Sequence, residues 1–273
     1  MSNTRGEFVS DSNMQLKCGL VFGVVNRFSI AWGIVRLLYA HGAKVIVVCQ
    51  THKIRNKVKE LCCDEGMSDI CVSDVDVEDE EAMDTFFTET IHTLCDRVDY
   101  VVHSIAYADR ISLQGKYIDT TKSSFLRAMH ISCFSFVDIV SRVQELLSDN
   151  ASVITMTYIG SMTVVPNYNV MGVAKAALEA SVRYIACDVG VRGIRVNAIS
   201  AGPMRTLSGK AIGGALSIYE HSKEGSFLGS NPTQDDLGNT AVYLLSDMSR
   251  NVTGQVIFVD GGYSKVGISK VVF

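Results

Sequence analysis

The chain has 273 residues, 47% of them hydrophobic and only three of them proline, with a formal net charge of −4. That length suits one large α/β domain, and the acidic balance leaves no basic footprint for nucleic acid. No apolar run is long enough to cross a bilayer, so no membrane span is expected.

The segment ahead of the first strand, from Met1 to Asn13, is polar and lacks the apolar stretch of a secretory signal, which points to the cytoplasm. The eight cysteines are scattered, and the adjacent pair Cys62-Cys63 lacks C-x-x-C spacing. Reduced thiols, without disulfides or a metal, are the expected state.

Strands are predicted at Leu20–Val24, Lys44–Cys49, Ile70–Ser73, Asp99–Ser104, Ala151–Thr157, Ile194–Ser200 and Gln255–Asp260. Their near-continuous Val/Ile character suits strands covered on both faces of a parallel sheet. Helical patterns alternate with them at Ile30–His41, Glu80–Leu94, Ser123–Leu147, Asn169–Val189 and Asp235–Leu245. The alternation predicts a single Rossmann-type, doubly wound α/β domain of about seven strands with a ligand at the C-terminal edge of the sheet. The exception is Thr206–Ser230, a Gly/Ser-rich insert of the kind that forms mobile lids.

The first strand runs into Gly23-Val-Val-Asn-Arg-Phe-Ser29-Ile30-Ala-Trp-Gly33, which is not G-x-G-x-x-G. Gly23 permits a tight turn, and Ser29 and Ile30 open a helix whose free amides suit a pyrophosphate. A strand–turn–helix without a ligand fits these residues equally well. Gln50 ends the second strand where NAD-preferring folds place an acid for the ribose diol, so neither a carboxylate nor an arginine there decides between NADH and NADPH. Lys53 nearby reads as a phosphate partner or as a solvated helix residue. Asp76-Val77, after the third strand, can bond and cover adenine, or Asp76 can serve as a helix N-cap before Glu78-Asp79-Glu80.

The most informative stretch is Tyr158-Ile-Gly-(x7)-Tyr168-Asn-Val-Met171-Gly-Val-Ala-Lys175. Tyr168 and Lys175 are seven positions apart, two helical turns, which predicts both on one helix face. An ammonium beside the phenol would lower its pKa. Together with Arg195-Val-Asn-Ala-Ile-Ser-Ala-Gly-Pro203 and Val259-Asp-Gly-Gly262, this stretch resembles the short-chain dehydrogenase/reductase superfamily. Ordinary members carry tyrosine four residues before the lysine and serine seventeen before it; here those positions hold Met171 and Tyr158. The displaced tyrosine is similar to that of the bacterial enoyl-acyl-carrier-protein reductases of the divergent Tyr-x6-Lys branch. Asn26-Arg-Phe-Ser-Ile-Ala-Trp-Gly33, His103-Ser-Ile105, Pro166-Asn-Tyr-Asn-Val-Met-Gly172 and Ile199-Ser-Ala-Gly-Pro-Met-Arg-Thr206 resemble that branch too, so that the likeness spans about residues 16–264.

The resemblance implies reduction of a trans-2-enoyl thioester by NADH in fatty-acid elongation, with NADPH left open. It places Gly23, Ser29, Ile30, Gln50, Asp76, Val77, Ile105 and Lys175 on the dinucleotide, with Met204, Arg205, Thr206, Leu207 and Ser208 around its nicotinamide half. Ala108 matches a substrate-contacting position, although the Pro-Gly that usually follows is Asp109-Arg110 here. Tyr158, Tyr168 and Lys175 match the active-site residues, and Tyr158 also reads as a packing residue.

The implied partners are an acyl carrier protein and further copies of the chain in a homotetramer. The helix Ser123–Leu147 would lie at that interface, or its Phe125, Met129, Phe134, Phe136 and Ile139 would face the sheet. Basic positions of the family's lid fall on Gly213, Leu216 and Ser217. Lys210 then remains as a docking residue or a plain solvated lysine, with Lys223 and Arg110 farther off. A carbonyl reductase, and a dinucleotide sensor without catalysis, are the rival functions on this fold.

Overall fold

A computed structural model describes residues 13–207, 209 and 212–267. Seven strands are all parallel: β1 Cys18–Phe22, β2 Lys44–Cys49, β3 Cys71–Asp74, β4 Val98–His103, β5 Leu147–Thr157, β6 Arg195–Ala201 and β7 Val256–Val259. Their order is β3-β2-β1-β4-β5-β6-β7. The chain therefore winds outward from β1 in one direction, then returns to β4 and winds in the other. The crevice between the C-terminal ends of β1 and β4 is the topological switch point, where doubly wound folds bind ligands.

The helices are α1 Ile30–Ala40, α2 His52–Asp64, α3 Glu80–Thr85, α4 Ile91–Leu94, α5 Lys122–Met129, α6 Ser135–Val143, α7 Val170–Val189, α8 Ala215–Gly225 and α9 Gln234–Leu245. Trp32, Ile34 and Leu38 of α1, Leu61 of α2 and Leu237 and Leu244 of α9 cover one sheet face. Phe86, Ile91, Phe136, Ile139, Leu178 and Val182 cover the other. Each large apolar side chain buried in this way contributes roughly 1.5–3 kcal/mol. Strands β1, β4 and β6 are buried at every residue, including the polar Asp99, His103, Arg195, Asn197 and Ser200.

Several predicted boundaries move. β1 stops at Phe22 rather than Val24 because Gly23 turns the chain at φ +99°. The helix expected over Glu80–Leu94 is interrupted by a π-turn at Phe86–Thr90. The one expected over Ser123–Leu147 carries a π-turn at His130–Phe134 and ends at Val143. Leu147 instead opens β5, opposite Val98, and an irregularity between Val98 and Tyr100 absorbs the polar Ser148-Asp149-Asn150. Of the apolar residues in that segment, Phe136 and Ile139 are buried on the sheet, Phe125 and Met129 are half-buried, and Phe134 is 53% exposed. Helix α2 has only Val58, Leu61 and Cys62 buried, too thin a stripe to stand out in the sequence. Lys53 lies in its exposed first turn.

Candidate active site

The switch point is built first by Gly23. A side chain there would press on the backbone of Ser104 at the end of β4, its Cβ meeting the Ser104 carbonyl oxygen and lying 2.7 Å from the carbonyl carbon. Together with the positive φ, this makes glycine obligatory. The Ser29 hydroxyl accepts from the amides of Val25 and Asn26, at 3.1 and 3.2 Å. It therefore turns back into the loop and caps none of the amides of α1. Helices α2, α3, α5 and α9 differ, because Thr51, Asp79, Thr121 and Thr233 each accept from their own first turn. The start of α1 at Ile30 is left open to an anion, which fits the pyrophosphate of a dinucleotide.

Along the same edge, Gln50 donates to Asp76 across 3.0 Å, and Asp76 also accepts from the Glu78 amide at 3.1 Å. The N-cap of α3 is Asp79, so the capping alternative for Asp76 is excluded. Val77 is buried in the core below and Ile105 is half-buried against it. Beyond β6, Met204 packs on the opposite core. Arg205 pairs with Glu220 at 3.2 Å and stacks on Tyr219 at 4.6 Å, tying this loop to α8. Thr206 accepts from the Gly209 amide at 3.0 Å, and Leu207 is 60% exposed. Ser208, Lys210 and Ala211 lie outside the described residues.

Strand β5 delivers Tyr158 to this edge, and a short turn at Ile159–Ser161 follows. Tyr168 does not stand on the helix, contrary to the spacing argument. α7 begins at Val170, and Asn169, with φ 42° and ψ −119°, breaks the chain direction between them. Asn167 is also at positive φ, 66°. Both are asparagines, which tolerate such backbone better than bulkier residues. Their amides hold the loop in place: Asn167 donates to the Gly213 carbonyl at 2.9 Å, and Asn169 to the carbonyls of Ser112 and Gly115 at 3.2 and 3.3 Å. These two asparagines flank the tyrosine in Pro166-Asn-Tyr-Asn, a visible signal that sequence reasoning used only for resemblance.

The rings of Tyr158 and Tyr168 meet edge to face with centroids 5.0 Å apart. Tyr168 is buried with Leu113 and Met171, and Ala108, Val165 and Ile212 close around them. The structure thus brings together the two tyrosines, Ala108 and Ile212 of the Thr206–Ser230 insert. Asp109, in place of the usual proline, accepts from Ser124 at 2.7 Å and from Tyr107 at 3.1 Å. Arg127 stacks on that Tyr107 ring and forms a bidentate pair with Glu78 at 2.9 Å. The Ala108 loop is therefore anchored by polar contacts, while Arg110 is exposed.

Lys175 is 5% exposed and donates to the Met156 carbonyl at 2.8 Å. Burial pushes its pKa down to about 8, with Cys133 and Glu179 opposing the fall. The Tyr168 phenol is pushed up, first by burial and then by Tyr158 and Glu179. The expected lowering by Lys175 is absent, because the ammonium is turned to a carbonyl of β5 and desolvation of a phenolate outweighs it. Burial also raises Tyr158, with a further contribution from Tyr263. His103 is fully buried between Thr155 and Ser135, at 2.8 and 2.9 Å, and burial pushes it down to about 3. It is a neutral structural residue.

Burial on both faces and an open helix start at the strand reversal define a dinucleotide-binding scaffold of the Rossmann type. The sequence pattern described as "Enoyl-(Acyl carrier protein) reductase" matches residues 23–264. The chain is 49% identical to the enoyl-[acyl-carrier-protein] reductase [NADH] 2 of Rhizobium meliloti, over 92% of each chain. The crystal structure of the Anaplasma phagocytophilum reductase in complex with NAD is 43% identical and superposes with a TM-score of 0.89, over 94% of this chain and 97% of that one. The Bacillus cereus enoyl-acyl carrier protein reductase, solved with NADP+ and an indole naphthyridinone, is 44% identical with a TM-score of 0.90, over 93% and 99%. The chain belongs to the enoyl-acyl-carrier-protein reductase family.

Proposed function

We propose that the protein reduces the carbon–carbon double bond of a trans-2-enoyl thioester carried on acyl carrier protein, using NADH. The observation that carries this reading is the placement of Met171. It stands four residues before Lys175, where carbonyl reductases of this fold hold their tyrosine, and is buried against Tyr168. The phenols packed in this pocket are Tyr158 and the displaced Tyr168. A carbonyl reductase needs its phenol beside the carbon that receives hydride. An enoyl thioester instead receives hydride at C3 while charge develops on the thioester oxygen, two carbons away, which suits a phenol set back from the lysine.

The bound dinucleotide supplies the hydride. Tyr168 donates its O–H to the developing enolate oxygen, an oxyanion-hole role. Its raised pKa suits that role, since the phenol stays protonated at neutral pH and acts as a donor rather than a base. The Lys175 ammonium would hold the nicotinamide ribose hydroxyls. The open start of α1 beside Gly23 and Ser29 would take the pyrophosphate, and Gln50 and Asp76 the adenosine. Tyr158, packed edge-on against Tyr168, bounds the acyl pocket with Ala108. We read Thr206–Ser230 as its lid, and the protein as a cytoplasmic homotetramer; exposed Leu126, Phe134 and Tyr184 support an assembly face.

NADH oxidation should occur with crotonyl-CoA and not with acetoacetyl-CoA. Oxidation with acetoacetyl-CoA alone selects a carbonyl reductase, and none with either selects a dinucleotide sensor.

A further inference from the structure

Helix α7 carries a second buried ionisable residue that the reaction as described does not use. Glu179 follows Lys175 by four residues, one turn along the same helix face. It is 7% exposed. Both of its side-chain partners are neutral hydroxyls: one carboxylate oxygen, Oε1, accepts from Thr157 at 2.7 Å and from Ser161 at 2.6 Å. Those two residues straddle Tyr158. The neighbouring Met156 carbonyl is the acceptor for Lys175. The end of β5 is thus stitched to α7 twice, by the lysine on one side of Tyr158 and by the glutamate around it. The turn held in this way includes Gly160, which lies directly against the Tyr168 ring.

We infer that Glu179 is a positioning residue for the reaction, fixing the Tyr158 turn beneath Tyr168 and supplying the buried counter-charge that keeps Lys175 an ammonium. The inference rests on the role assigned to Lys175 above. A buried ammonium is costly unless a charge opposes it. Groups from three elements act on Lys175: Cys133 from the turn between α5 and α6, His103 from β4, and Glu179 from α7 itself. Burial pushes the Cys133 thiol up, and His103 is neutral. Glu179 alone brings a carboxylate.

Two substitutions separate its two tasks. Glu179→Gln keeps a carbonyl oxygen for Thr157 and Ser161 but removes the charge. An ammonium that loses its counter-charge deprotonates at lower pH, so the Lys175 midpoint, read from its 13Cε shift in the dinucleotide-free protein, should fall by on the order of one pH unit. NADH affinity, read by fluorescence titration, should then weaken about fivefold at pH 8 and little at pH 6. Glu179→Asp keeps the charge but shortens the reach. It should leave the Lys175 midpoint in place and lower kcat, with NADH affinity unchanged. An unmoved midpoint in the Gln variant, or a wild-type kcat in the Asp variant, overturns the inference. A wild-type NADH affinity that ignores the Lys175 titration would instead refute the ribose role of Lys175, and leave the midpoint shift as the test of Glu179.

Discussion

Gly160→Ala tests whether the placement of Tyr168 governs turnover. Gly160 is not at positive φ, so alanine brings no backbone strain. Its Cβ would lie 2.7 Å from Cε1 of Tyr168 and still closer to Cδ1, and 3.3 Å from Cδ1 of Tyr158. Ordinary contact begins near 3.4 Å, so the Tyr168 ring must retreat by at least 3.4 − 2.7 = 0.7 Å. It has little room to do so among Leu113, Met171 and Ala108. Overpacking of this kind costs roughly 1–3 kcal/mol of stability. Misplacing a reacting group by about 1 Å can cost about 100-fold in rate, so kcat should fall roughly 10- to 100-fold. Steady-state kinetics with enoyl thioester, NADH titration and thermal melting check the three parts. NADH affinity should be retained, because the dinucleotide edge is untouched. In a Tyr168→Phe background the same substitution should cost little further kcat, since the hydroxyl it displaces is already gone. A folded Gly160→Ala enzyme with wild-type kcat, or an equal kcat loss on both backgrounds, would refute the reasoning.

Lys175→Ala should weaken NADH binding strongly in a protein that still folds; normal binding and oxidation of NADH would remove it from the site. For α8, where Ser222 is the one buried residue, amide exchange should slow when dinucleotide and acyl ligand bind, and exchange indifferent to ligand would count against a lid. The His103 pKa is about 3 in the fold against an ordinary 6.5, so the unfolded chain takes up a proton first as pH falls. Stability present at neutral pH should therefore be lost between pH 6.5 and 3, at up to about 1.4 kcal/mol per unit. Urea midpoints should show this slope, and His103→Gln should flatten it.

Much of the fold was legible because parallel strands covered on both faces leave near-continuous apolar runs, as in Lys44–Cys49 and Tyr100–Val102. The π-turns at Phe86–Thr90 and His130–Phe134 were not, since each adds a residue to a turn and blurs the helical period without a proline or glycine to mark it. The residue types of the site were visible, but their geometry was misjudged at Tyr168. A seven-residue spacing presumes a helix throughout, whereas Asn167 and Asn169 take positive φ and hold the phenol on a loop. Glu179 escaped notice because a lone glutamate in a helical run reads as a solvated face. Only the packing shows it 7% exposed beneath Tyr158. The lowered phenol pKa failed for a related reason, because burial depends on what closes over a residue and not on its sequence neighbours.

The most direct test of the central claim is to follow the hydride itself. The protein would be given a trans-2-enoyl acyl carrier protein and NADH deuterated at C4, and the product read by mass spectrometry and NMR. One deuterium at C3 of a saturated acyl chain is the predicted result. Failure to label that substrate, with deuterium entering instead at the carbinol carbon when a 3-oxoacyl thioester is supplied, would contradict it.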